Sequence, residues 1–309
     1  MRWIYFGTGL LSARFLEKLI SRRLLPKLVI TGSSKPAGRG RKITHTPVFM
    51  VAHDKGVPVI ETKFLDDPVI IRKIQMESPS FFVVFDFGQI VPSKILSIPR
   101  VAPLNVHPSL LPKYRGAAPI IRAMMAGEKS TGITIIKMNE KIDAGDIVLQ
   151  EKVEIPEDIT RGELEEIILD KACELIEKSF VGLKEGTIIP EPQKGKPSYA
   201  KKLSREELWI NWEEDALKIK NKIHALSPIP GARSNFKGKI IQILRVQVPN
   251  DFTLEIKPGQ IFVKNKKLFV GTGSTPIEIL SIKPSGKKEM TAQEFINGYQ
   301  PHNLYFTSR

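Results

Sequence analysis

The chain has 309 residues, 41% of them hydrophobic and 26% charged, a globular composition that fits two domains and excludes fibrous and low-complexity classes. No apolar run approaches the ~18 residues of a membrane span, no signal-type segment opens the chain, and the single cysteine, Cys173, has no internal disulfide partner, so a reducing, cytoplasmic setting is expected. Lys+Arg number 47 against 33 Asp+Glu, a net charge of +14, and residues 217–309 hold 15 of these cations with only 5 acids, which points to a polyanionic partner bound through counterion release.

Runs at 2–6, 27–30, 58–60, 81–85 and 101–106 read as strands separated by helix-length segments. The run Phe81-Phe82-Val83-Val84-Phe85 has no polar alternation, the pattern of a strand covered on both faces of a parallel sheet. These elements predict a Rossmann-like α/β domain with an open, mostly parallel sheet. Further strands are expected at 133–138 and 147–155, then a long helix opened by the capping box Thr160-Arg161-Gly162-Glu163 and closed near Gly186. Prolines and glycine within 190–203 read as an extended linker, which sets a first domain at 1–189 and a second at 204–309. The second domain opens on another capping box, Ser204-Arg205-Glu206-Glu207, and carries a helix ending near Leu226. Short strands at 232–236, 239–248, 260–263, 267–270 and 277–282 then predict a small OB-like β-barrel.

Four places could carry chemistry. Gly7-Thr8-Gly9 follows the first strand and could present backbone N–H groups to a ligand or be a structural turn. It lacks the third glycine and the acidic residue of a dinucleotide site. The segment Ser33 to Lys42 holds Lys35, Arg39, Arg41 and Lys42, and reads either as a solvated connection or as a basic arm that folds against phosphate. Asn105 and His107 close a central strand, where ligands of open α/β sheets bind. Their spacing of two puts both side chains on one face, an amide able to donate to an oxyanion beside an imidazole able to exchange a proton. Asp143, in the turn after the 133–138 strand, could orient that imidazole or serve only as a turn former. The five histidines and one cysteine show no zinc-site spacing, and no metal is expected.

With Lys35-Pro36-Ala37-Gly38-Arg39-Gly40, Asn105-Val106-His107, Ser109 to Ile120, Thr131-Gly132-Ile133-Thr134 and Ile142-Asp143-Ala144-Gly145-Asp146, the chain resembles the methionyl-tRNA formyltransferase family nearly end to end. Tyr199-Ala200-Lys201-Lys202-Leu203, Ile210-Asn211-Trp212 and Pro228 to Ala232 are similar to that family's barrel domain. The resemblance implies formyl transfer from 10-formyltetrahydrofolate to initiator Met-tRNA, with Asn105, His107 and Asp143 as the catalytic triad. It further implies Ser109, Leu110, Leu111 and Pro112 as the folate-contacting turn, the basic segment as an insertion touching the acceptor stem, a barrel that grips the tRNA body, and a monomer. Two departures stand out: Gly7-Thr8-Gly9 where the family more often has Gly-Thr-Pro, and Phe85-Asp86-Phe87-Gly88 where an Ala-Tyr-Gly type sequence is common. The His-Pro-Ser-Leu-Leu-Pro turn is shared with glycinamide ribonucleotide formyltransferase, the runner-up. Nucleotide-sugar formyltransferases and a non-catalytic RNA-binding descendant are further alternatives.

Overall fold

The computed structural model describes residues 1–37, 42–249 and 255–308. The chain folds into two compact units, the first built from Met1–Ala117, Gly132–Val153 and Glu165–Tyr199, the second from Ala118–Thr131, Glu154–Leu164 and Ala200–Arg309. The segment read from sequence as a linker therefore begins inside the first unit, where Glu191 and Ile147 exchange backbone hydrogen bonds of 2.7 and 2.9 Å.

In chain order come β1 (Trp3–Gly7), α1 (Leu10–Ser21), β2 (Leu28–Gly32), β3 (Lys35–Ala37), β4 (Lys42–Thr44), α2 (Pro47–Asp54), β5 (Val59–Thr62), α3 (Pro68–Met76), β6 (Phe81–Phe85) and α4 (Ser93–Leu96). They are followed by β7 (Ala102–His107), β8 (Arg115–Gly116), α5 (Pro119–Met125), β9 (Ser130–Lys137), β10 (Asp146–Glu154), α6 (Arg161–Glu185) and β11 (Tyr199–Ala200). Helix starts follow local chemistry. Thr46 and Asp67 accept the N–H groups of Phe49 and Val69, each with proline at the next position, which supplies a fixed φ where no donor is needed.

The main sheet has the order β10-β9-β7-β6-β1-β2-β5. Strands β7, β6, β1, β2 and β5 are parallel, while β9 runs antiparallel to β7. Burial explains the unbroken apolar runs. On one face Tyr5 and Phe85 meet Phe15 of α1, and Trp3 and Phe81 meet Phe180 of α6. On the other, Ile4, Phe6, Phe82 and Val84 pack with Ile70 and Ile74 of α3 and Ile95 of α4. Each such fully buried side chain contributes about 1.5–3 kcal/mol of transfer free energy. Because β1 leads to β2 on one side and β6 lies on the other, the strand order reverses at β1/β6, and the carboxyl ends of these strands are where an open α/β sheet of this kind has its ligand crevice.

The second unit holds α7 (Ala216–Leu226), β12 (Ala232–Phe236), β13 (Lys239–Gln247), β14 (Ile261–Lys264), β15 (Lys267–Val270), β16 (Ile277–Pro284), β17 (Met290–Thr291) and α8 (Ala292–Tyr299). Its antiparallel order β12-β13-β16-β15-β14, with β17 on β16, is a curled half-barrel that agrees with the barrel expected from sequence. Two of its hairpins turn on just two residues, Lys237-Gly238 and Asn265-Lys266, all four at positive φ, the geometry that matches strand twist. Trp212, Phe236, Phe295 and Phe306 fill the core beside Ile219 and Ile223 of α7. Within it, the Trp212 indole donates to Ser234 Oγ at 3.1 Å.

Candidate active site

Strand β7 carries Asn105 and His107 to the carboxyl edge of the main sheet, paired to Val84 of β6 and Thr134 of β9 respectively. The turn between β9 and β10 returns Asp143 to the same place with its backbone at φ 51°, a left-handed conformation that Asp tolerates better than most residues. Asn105 Nδ2 donates to Asp143 Oδ1 at 3.3 Å, and His107 Nδ1 lies 3.5 Å from that oxygen. The Gly116 N–H donates to Oδ2 at 2.8 Å. The structure thus brings together the three residues that sequence singled out, with His107 only 4% exposed. His107 Nε2 faces the Tyr114 carbonyl at 2.9 Å. Nε2 therefore has a hydrogen-bond acceptor, and Nδ1 faces a carboxylate at ion-pair distance. One Asn105 amide hydrogen is left over from the Asp143 contact, a donor for an oxyanion beside a ring that can carry positive charge.

The turn Ser109 to Pro112 follows directly. Ser109 is fully buried, its N–H donates to the His107 carbonyl at 2.9 Å and its hydroxyl to the Lys113 carbonyl at 2.6 Å. Thr134 Oγ1 donates to the Ser109 carbonyl at 2.6 Å and accepts the Leu111 N–H, while Gln150 donates to the Leu111 carbonyl at 3.0 Å. Ser109 and Leu111 are thus spent on holding the turn, whereas Leu110 and Pro112 remain half-buried at its surface. Thr134 lies in the Thr131 to Thr134 motif, to which sequence attached no role, and Gln150 was not singled out from sequence. A glycine also shapes this wall: a Cβ at Gly145 would sit 2.0 Å from the Lys137 carbonyl oxygen, so the turn that carries Asp143 can close on β9 only without a side chain there.

Sequence reading also passed over Gln193. Its Nε2 donates to the carbonyls of Asp143 and Gly145 at 2.9 and 2.8 Å, and its Oε1 accepts from Arg115 Nε and a terminal guanidinium nitrogen at 3.2 and 2.7 Å. No periodicity marks an isolated polar residue in a proline-rich extended segment. Arg115 stood within the quoted motif, with no role attached.

The crevice at β1/β6 unites the two departures from the family pattern. The Asp86 backbone carbonyl accepts the Thr8 and Gly9 N–H groups at 3.1 and 3.4 Å, and its carboxylate lies against Gly9 at the N-terminus of α1, where the helix dipole favours a negative charge. A Cβ at Gly9 would fall 1.9 Å from Asp86 Oδ2, so glycine here makes room for the acid there. Thr8 Oγ1 is buried with no partner among the described residues, while Leu10 and Ile90, after β1 and β6, are 57% and 73% exposed.

The basic segment is partly a ribbon rather than a loop: Lys35 and Lys42 lie in β3 and β4, which pair antiparallel. Arg39 and Arg41 lie outside the described residues. Among the described residues no helix is long and apolar enough to cross a membrane.

Comparison with known proteins agrees with this geometry. The Formyl transferase family model matches residues 1–179 and the Formyl transferase, C-terminal domain model matches residues 202–300. A methionyl-tRNA formyltransferase of Carboxydothermus hydrogenoformans is 42% identical over 305 residues, 97% of each chain. Among solved structures, HypX from Aquifex aeolicus in complex with tetrahydrofolic acid superposes with a TM-score of 0.68 at 18% identity, covering 96% of this chain and 47% of that longer one. Methionyl-tRNA formyltransferase from Clostridium thermocellum does so with a TM-score of 0.56 at 18% identity, covering 82% and 95%. These structural likenesses speak for the fold, and the relative matched along almost its whole length for more than the fold: the chain belongs to the formyl transferase family, among its methionyl-tRNA formyltransferases.

Proposed function

We propose that the protein transfers the formyl group of 10-formyltetrahydrofolate to the α-amino group of the methionine carried by initiator tRNA. The convergence of Asn105, His107 and Asp143 at the end of β7 carries this reading, in a chain matched over 97% of its length by a methionyl-tRNA formyltransferase. The bound folate supplies an electrophilic formyl carbon. Asn105 Nδ2 donates to the oxygen of that carbon as the amine attacks, the His107 ring beside it favours the developing negative charge, and Asp143 holds both residues in place. The tetrahedral adduct then collapses as the bond between the formyl carbon and N10 of the folate breaks, the electron pair leaving on N10; His107 gives a proton to N10 and takes the one that the amine gives up. Leu110 and Pro112, with Thr8, Leu10 and Ile90, would line the folate crevice, while Ser109 and Leu111 keep its turn rigid. Lys35, Arg39, Arg41 and Lys42 would meet the acceptor stem, and the cations of residues 217–309 the tRNA body. In this reading the first unit, which includes residues 190–199, performs the chemistry, and the barrel at 204–309 binds RNA, in a cytoplasmic monomer with no metal.

The test is formyl transfer to initiator Met-tRNA, with elongator Met-tRNA and glycinamide ribonucleotide as competing acceptors and His107→Ala as control. Turnover on the initiator, lost in the control, is expected. Turnover confined to glycinamide ribonucleotide would overturn the tRNA assignment and keep the site.

A further inference from the structure

We propose that Gln193 is a positioning residue for Asp143, and that the 191–198 segment is a working wall of the active site. Both acceptors that face the His107 ring are tied to this one stretch of chain. The Asp143 side is held by Gln193, whose amide reaches the Asp143 and Gly145 carbonyls from outside the turn. The Tyr114 side is held by Ser198: its hydroxyl accepts the Tyr114 N–H at 2.9 Å, and its carbonyl accepts the Arg115 N–H at 2.9 Å. Arg115 closes the frame by donating twice to Gln193.

Gln193 is chemically matched to this place. It needs two donors for two carbonyls and an acceptor for a guanidinium, which only an amide of this length provides. Asp143 sits at φ 51°, a conformation that a non-glycine residue keeps only when its surroundings over-determine it. Losing the amide releases the turn while leaving Asn105, His107 and Asp143 themselves intact. The carboxylate then spends less time within reach of Asn105 and His107.

The inference rests on the formyl-transfer reading for its kinetic arm alone. In the full-length protein, Gln193→Ala should lower kcat about 10- to 100-fold with KM for both substrates within threefold. Gln193→Glu should lose at least as much, because its carboxylate would face two carbonyls, although it keeps the Arg115 contact. Combining Gln193→Ala with Asp143→Ala should cost no more than Asp143→Ala alone, since residues acting as one unit are not additive. A second readout needs no activity: amide hydrogen exchange at Gly116, the donor to Asp143 Oδ2, should quicken at least tenfold in Gln193→Ala, with strands of the second unit unchanged. Faster exchange in a protein that fails to formylate would keep the positioning role and discard the reaction. Unchanged exchange with wild-type kcat, or losses that multiply in the double variant, would overturn the positioning role.

Discussion

Asn105→Ala isolates the oxyanion contribution. In the resting site the Asn105 amide makes one contact, to Asp143 Oδ1 at 3.3 Å, long for an N–H···O bond and worth about 0.5–1 kcal/mol of stability. A chain of this size should therefore melt only about 2 °C lower. During transfer the same nitrogen donates to a developing charge in a site where the neighbouring imidazole is almost fully buried, and removing such a donor costs about 3–4 kcal/mol, or 10²–10³ in kcat. Because that bond exists only in the transition state, kcat and kcat/KM should fall together with KM for Met-tRNA unchanged. Asn105→Asp sharpens the argument. It replaces the donor with a second carboxylate against Asp143 Oδ1, so its activity should be at least as low as that of Asn105→Ala. The assay is single-turnover formyl transfer with enzyme in excess, quenched on the millisecond to minute scale, beside steady-state runs across pH. A rate for Asn105→Ala within threefold of wild type, or a loss confined to KM, would refute the assignment of Asn105 to the oxyanion.

Gly145→Ala should lower kcat about 10- to 100-fold at near-normal tRNA affinity, because its new methyl group would collide with the Lys137 carbonyl and push the Asp143 turn out of line; unimpaired turnover would show that the turn can yield. Burial, reinforced by the nearby Lys220 ammonium, pushes His224 down to about 4, whereas the unfolded chain takes up that proton near pH 6.5. The stability from a neutral His224 is thus complete above pH 6.5 and lost as pH falls toward 4, about 3 kcal/mol in all. Melting curves of the wild type and His224→Gln should converge over that window, and parallel curves would exclude the mechanism. Replacing exposed Lys287 and Lys288 by alanine should reduce the slope of log affinity for tRNA against log salt by about 1–2 and leave transfer within the bound complex unchanged; an unaltered slope would remove these lysines from the interface.

The strands were legible because burial on both faces writes itself as unbroken apolar runs, as in Phe81 to Phe85, and the capping boxes at Thr160 and Ser204 because their chemistry is local. The box at Ser204 forms both of its reciprocal contacts, whereas at Thr160 the backbone N–H and the hydroxyl both donate to the Glu163 carboxylate. Asn105 and His107 were legible as a pair because strand geometry alone puts positions two apart on one face. Gln193 was not, since its meaning lies in carbonyls of a turn far away in sequence, and a proline-rich stretch looks the same whether it spans open solvent or braces a wall. Gly9 and Asp86 show a different limit. Each was visible as a departure, yet only the fold reveals that the missing side chain and the added carboxylate occupy one volume.

The division of the chain into units bears on how it can be cut. The second unit includes residues 118–131 and 154–164 as well as everything from Ala200 onward, and Ile121 of α5 packs against the same core as Trp212 and Phe295. A gene fragment ending near residue 200 would thus carry α5 without most of the core it helps to build, and the complementary fragment would have a hole where α5 belongs. The two family matches, which meet near residues 179 and 202, mark a boundary of sequence kinship and not of autonomous folding. Expression trials, limited proteolysis and domain-exchange chimeras would be better planned on the threaded units than on that linear boundary.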